Sequence, residues 1–220
     1  MKTVSLLALA LLVPVVAAHA ADTPSRWAVT AGMASVNQHG DNLVPVAMDP
    51  SWPRGTEVEA SDDGSAATLG LSWYINQNLA IELWGAGSAR SQVEVDIENG
   101  PDINVASYRT QPLAVSLQYH FHDVLPGIGQ HVTPFVGLGW HQTKVSSIKA
   151  DADGYRGLDI EDGNGLAASA GVDVALGQRW FVRGDVRYLR WDSQSRVGNT
   201  VLAKGDMDTL SYGASIGLRF

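Results

Sequence analysis

Between Leu210 and Phe220 the chain reads LSYGASIGLRF, in which Leu210, Tyr212, Ala214, Ile216, Leu218 and Phe220 alternate with Ser211, Gly213, Ser215, Gly217 and Arg219. Side chains that change sides at every residue belong to a β-strand, so this strand carries one greasy face and one small or polar face. The same rhythm recurs in seven earlier segments: 27–36, 67–75, 79–89, 108–121, 133–145, 166–176 and 180–191. After the first twenty residues no apolar run approaches the roughly 18 that a membrane-crossing helix needs. The apolar signal of this chain lies in alternation, which predicts an all-β protein.

The first twenty residues read as an address. Lys2 precedes a short apolar run from Val4 to Val16, and Ala18–His19–Ala20 forms a small-x-small cleavage site. This predicts a signal peptide over 1–20 and a mature chain over 21–220. The full chain has 15 basic and 23 acidic residues; losing Lys2 leaves 14 against 23, a net charge of −9 that argues against nucleic-acid partners. There are no cysteines, which excludes disulfide stapling in an exported protein. No low-complexity linker divides the mature chain, so a single domain is expected.

The spacing of the segments supplies sidedness. Asn76–Asn78, His122–His131 and Gly177–Arg179 are the shorter links, and the other four are long and rich in Gly, Asp, Asn and Pro. Short turns at one end and long loops at the other characterise an outer-membrane barrel, and segments of 9 to 14 residues suit tilted membrane strands. Three-residue turns would put Ser72 across from Glu82 and Trp73 across from Ile81 at one hairpin. At another they would put Asp173 across from Arg183. Trp27, Trp73, Tyr119, Phe121, Trp180 and Phe220 collect on the apolar face near the short-turn side, as an interfacial aromatic girdle does. Backbone polar groups in hydrocarbon need internal partners, so the sheet must close. The expected fold is an eight-stranded antiparallel transmembrane β-barrel with short periplasmic turns and long extracellular loops, in the outer membrane of a Gram-negative bacterium. Its expected surroundings are membrane lipid and lipopolysaccharide. The outward Phe220 at the end of the chain is the usual ending of barrels inserted by the outer-membrane assembly machinery.

An eight-stranded barrel is narrow enough to be filled by its own side chains. Parity sends Glu82, Asp173, Arg183, Asp185, Arg187 and Arg219 inward, where they form a paired plug whose first role is to stabilise. Trp84, two residues beyond Glu82, also points inward. In the first long loop, DNLVPVAMDPSWP, the apolar Leu43, Val44, Val46, Met48 and Trp52 face the cell exterior and, with Trp84, make a candidate ligand-binding surface. Packing against the loop's own neighbours is the plainer alternative. The acidic stretch DADGYRGLDIEDGNG lacks the glycine and glutamate spacing of an EF-hand and reads as a solvated loop or a loose divalent-ion contact beside lipopolysaccharide. His120 and His122 lack a carboxylate set, so no metal and no cofactor is expected.

The ordered blocks LGLSWYINQNLAIELWGAG (69–87), LAVSLQYHF (113–121), TPFVGLGW (133–140), AASAGVDVALGQRWFVRGDVRYLRWD (167–192) and the final GLRF together resemble the outer membrane protein W (OmpW) family, which includes importers of hydrophobic compounds of the AlkL type. The resemblance spans most of the mature chain. It implies a barrel for passive uptake of small hydrophobic molecules, with an apolar extracellular cup and lateral release toward lipid. Some family members carry an aromatic where this chain has Arg187, a departure that moves the expected exit to the upper wall. Two other classes compete with this reading. One is a structural, adhesive or stress-related barrel without cargo. The other is a lipid A-modifying enzyme, for which His141 and Ser146 near the top of the fifth segment would be the pair to consider, without an acidic orienter.

Overall fold

A computed structural model describes residues 25–39, 44–45, 57–96, 103–122, 131–150, 158–160, 162–197 and 200–220. Its strands are β1 (Trp27–His39), β2 (Val44–Pro45), β3 (Glu57–Tyr74), β4 (Leu79–Ala86), β5 (Ala89–Asp96), β6 (Ile103–His120), β7 (Val132–Ala150), β8 (Leu158–Ile160), β9 (Gly163–Ala175), β10 (Trp180–Val197) and β11 (Thr200–Arg219). No helix among the described residues is long and apolar enough to cross a membrane. The expected leader lies outside the described residues.

Antiparallel neighbours run β1–β3–β4–β6–β7–β9–β10–β11, with β5 continuing β4 between β3 and β6. The first and last strands then pair from Ala28↔Arg219 to His39↔Asp208. That pairing closes the sheet into an eight-stranded barrel, in which β4 and β5 are two halves of one wall strand interrupted at Gly87–Ser88. Closure is what hydrocarbon demands, because an open edge would leave a row of unpaired N–H and C=O groups. Both hairpin registers follow the turn argument: Ser72 opposes Glu82, Trp73 opposes Ile81, and Asp173 opposes Arg183. At the first hairpin the Asn76 side-chain oxygen accepts hydrogen bonds from the backbone N–H of Asn78 and of Leu79, each 2.8 Å, which shapes the turn locally.

The alternating face is the outer one. Leu69, Leu113, Val115, Leu138, Ile216 and the girdle residues Trp27, Trp73, Tyr119, Trp180 and Phe220 are exposed on the barrel wall. From Leu166 to Leu176, both exposed, a strand tilted by ~40° climbs about 25 Å, the height of the apolar band of such barrels. The inner face is filled. Glycines make room for it: a Cβ at Gly217 would overlap the Phe181 ring, and one at Gly171 would overlap the Phe135 ring.

Several strands overshoot the segments read from alternation. The eighth segment, 210–220, belongs to a strand that begins at Thr200, and the second, 67–75, to one that begins at Glu57. Their upper parts carry Glu57, Glu59, Asp62 and Asp63, or Lys204, Asp206 and Asp208, so no apolar rhythm marks them. Ladder hydrogen bonding continues where neither face needs to be apolar. The expected long link between the seventh and eighth segments is therefore a hairpin whose last pair, Val197↔Thr200, brackets only two residues. In the first loop Val44–Pro45 pairs with Lys204 and Ala203 of β11. Leu43, Val46, Met48, Trp52 and the side chain of Val44 lie outside what is described.

Candidate functional site: a lumen in two tiers

Arg183 is the centre of the lower tier. Its Nε and Nη2 donate to Asp173 Oδ1 and Oδ2 at 2.7 and 2.9 Å, a two-pronged fork between adjacent strands. Its Nη1 reaches across the lumen to Glu82 Oε1 at 2.7 Å. Glu82 Oε2 accepts from Arg187 Nη1 and from Gln118 Nε2, both at 2.7 Å. Arg187 Nε donates to Asp185 Oδ2 at 2.7 Å, and Arg219 Nη2 lies 3.6 Å from Asp173 Oδ2. The six charged residues named from the sequence thus come together in one network, three carboxylates against three guanidinium groups. Glu82, Asp173, Arg183 and Arg187 are all buried. Ions so deeply placed persist only when paired and hydrogen-bonded on nearly every face, which the forked arginines supply.

Aromatic rings complete this tier. The Arg183 guanidinium sits 4.4 Å over the Phe135 ring, Arg187 4.6 Å over Trp84, and Arg219 4.7 Å over Phe181. Planar guanidinium groups stack on ring faces, so the rings hold the cations without competing for their N–H donors. His120 stacks on Phe135 at 5.3 Å, with Nε2 3.3 Å from Gln118 Oε1. Phe135, Phe181, Gln118 and His120 stand outside the set of lumen residues that the sequence singles out. Their inward parity was readable, but an apolar residue on the inner face looks like a lapse in alternation until a charge is found against it. His122 is exposed, with its Nε2 2.7 Å from the carbonyl of Gln77, so the two histidines do not converge. No group of three or more metal-ligating side chains occurs among the described residues.

Trp84 is the boundary. Below it is Arg187; above it a buried apolar cluster of Val36, Ala66, Ala86, Ala89, Ala114, Ala167 and Leu189 rings the upper lumen. Most of these are alanines, whose inward parity on β3, β4, β5, β6 and β9 is the only trace they leave in the sequence. Between Ala114, Ser116, Ser169, Arg187 and Leu189 the remaining void is about 10 Å³, room for about one water.

Beside this ring the wall is incomplete. The β3–β4 ladder ends at Thr68↔Ala86, with Ala67 O accepting from Gly87 N at 2.7 Å, and β3 pairs again with β5 only at Ser61↔Gln92. Across the strand, pairing with β6 stops at Gly85↔Leu113 and resumes at Ala89↔Thr110. Pro112, which has no N–H to give a ladder, stands in that interruption. The seam lies just above Leu69 and Leu113, the last exposed leucines of the apolar band on those strands.

The His141–Ser146 pair fails on geometry. His141 is buried, with Nδ1 3.1 Å from Thr143 Oγ1 and Nε2 3.2 Å from the carbonyl of Arg190. Ser146 is exposed on the other side of the wall. A nucleophile and its base must lie within hydrogen-bond reach, and these two are separated by the sheet itself.

The model of the OmpW family matches residues 26–220. Outer membrane protein AlkL of Ectopseudomonas oleovorans is 26% identical over 164 residues, 72% of this chain and 68% of that protein. The dibenzothiophene metabolism operon protein PahQ of Pseudomonas aeruginosa is 25% identical over 209 residues, 89% of each chain. Among solved structures, the crystal structure of the outer membrane protein OprG from Pseudomonas aeruginosa superimposes with a TM-score of 0.69 at 19% identity, covering 90% of this chain and 96% of that one. A closed eight-stranded barrel with an apolar belt, matched by the family model from residue 26 to residue 220, belongs to the OmpW family of outer-membrane proteins.

Proposed function

We propose that this barrel takes small hydrophobic molecules from the extracellular side into its upper lumen and releases them sideways, through the seam between β3 and β5, into the outer leaflet. The observation that carries the reading is a coincidence of height: the ladder parts at the level of Ala66, Ala86 and Ala89, immediately above Trp84 and the charged tier. A hydrophobic solute moving down the axis would have to separate buried ion pairs, at a cost of several kcal/mol. Moving sideways from the apolar ring, it passes Ala66, Ala86 and Ala89 and meets an unpaired strand margin in place of buried ion pairs. PahQ, by its name, belongs to an operon for metabolism of an apolar aromatic compound, which fits such a cargo. The first-loop residues Leu43, Val44, Val46, Met48 and Trp52 belong to the entry side of this proposal. Lipopolysaccharide, membrane lipid and the assembly machinery acting on Phe220 are its proposed partners.

The test is uptake of an apolar aromatic probe by cells expressing the wild-type protein or Ala66→Trp/Ala86→Trp. Large rings beside the seam should reduce uptake by about tenfold, equivalent to roughly 1.4 kcal/mol in the barrier. Equal uptake with and without the protein would favour a structural barrel that carries no cargo.

A further inference from the structure

At the periplasmic end, below the charged tier, the barrel mouth holds a cavity of about 530 Å³. Its walls include Arg26, Tyr74, Ile75, His120, His122 and Arg219, and no acidic side chain lines it among the described residues. We propose that this vestibule is a binding site for a small organic carboxylate, with Arg219 as the anchoring cation, Arg26 as the second and the Tyr74 hydroxyl as a neutral donor.

Arg219 differs from the other two arginines of the network in what it lacks. Arg183 and Arg187 each hold carboxylate oxygens at 2.7 Å. Both oxygens of Asp173 are taken by the Arg183 fork, and Arg219 stands 3.6 Å from the nearer one, beyond hydrogen-bond length. Its buried Nε makes no hydrogen bond of ordinary length, and neither does the buried Tyr74 hydroxyl, which interacts with the same guanidinium. About 27% of the Arg219 side chain remains accessible. Phe181 beneath the guanidinium, at 4.7 Å, fixes its plane. A planar cation with free donors, an adjacent hydroxyl and a second arginine fit the two-oxygen geometry of a carboxylate. The volume and the Tyr74 and Ile75 walls suit an organic body, since small-molecule sites combine apolar lining with a few polar anchors. The site lies on the far side of the charged tier from the apolar ring, so it stands apart from the lateral route proposed above.

The decisive measurement is a titration of the folded protein in lipid nanodiscs with benzoate, followed by the ¹⁵N-resolved Nε–H signals of the arginines. Arg219 should shift saturably while Arg183, already locked on Asp173, stays in place. Arg26→Gln, a substitution outside the buried network, should weaken binding by about tenfold, and Tyr74→Phe should weaken it less. Arg219→Gln should abolish it in protein whose spectrum shows an intact barrel. Inorganic phosphate should compete poorly. No saturable shift at Arg219, unchanged affinity in both Arg26→Gln and Tyr74→Phe, or phosphate binding as tightly as benzoate would overturn the proposal.

Discussion

The two tiers of the lumen solve one packing problem in opposite ways. Below Trp84 the interior is crowded with long side chains that satisfy one another: three guanidinium groups, three carboxylates, Gln118, and rings against each arginine. Above it the inward positions are mostly alanine, and the wall beside them has lost part of its ladder. The lower tier gains rigidity because every removal leaves a stranded charge. The upper tier has no such interlocking partners, and the ladder beside it is interrupted, which is what the proposed lateral route requires. The proposed function thus assigns a seal and a passage to one narrow barrel by stacking them rather than mixing them.

The comparison breaks most decisively at Glu82. Replacing it with Ala strands Arg183 and Arg187 in a dry interior, and destabilisation of about 3–5 kcal/mol is expected, read by denaturant unfolding in detergent. Next is Phe135→Ala, which takes the ring from beneath Arg183 and from His120; about 3 kcal/mol should be lost in the same measurement. In the upper tier, Ala114→Trp should cost less stability, about 1–3 kcal/mol from overpacking, yet lower hydrophobic uptake more than either plug variant that still folds. The smallest effect is expected for Pro112→Ala. Restoring an N–H at the β5–β6 interruption, on the opposite edge of the strand from the proposed exit, should leave unfolding nearly unchanged, within about 1 kcal/mol, and should leave uptake unchanged as well. If Pro112→Ala instead lowers uptake, the exit is the β5–β6 interruption and not the β3–β5 seam.

Legibility in the sequence followed the solvent. Where lipid lies outside, as along 113–121, each second residue had to be apolar, and the strand could be read directly. Where charged and polar residues replace the alternation, as along the upper half of β3 or β11, the backbone still pairs but the sequence carries no rhythm that marks the strand. The Asp173–Arg183 pair was legible because a short turn sets its register. The contact of Glu82 with Arg183 was not, since those residues are 101 positions apart and meet only across the closed lumen. The first-loop apolar residues lie outside the described residues, whereas the alanine ring, invisible as a motif, forms the apolar lining of the upper lumen.

The sequence by itself determined the membrane-facing band, the strand count and the inward direction of the six charges, because a period of two converts each position into a side of the sheet. It also determined membership of its family through ordered blocks. Only the tertiary structure decided which charges pair across the lumen, which rings cradle them, and where the wall parts. Those outcomes depend on curvature and closure, which bring together residues that no local periodicity relates.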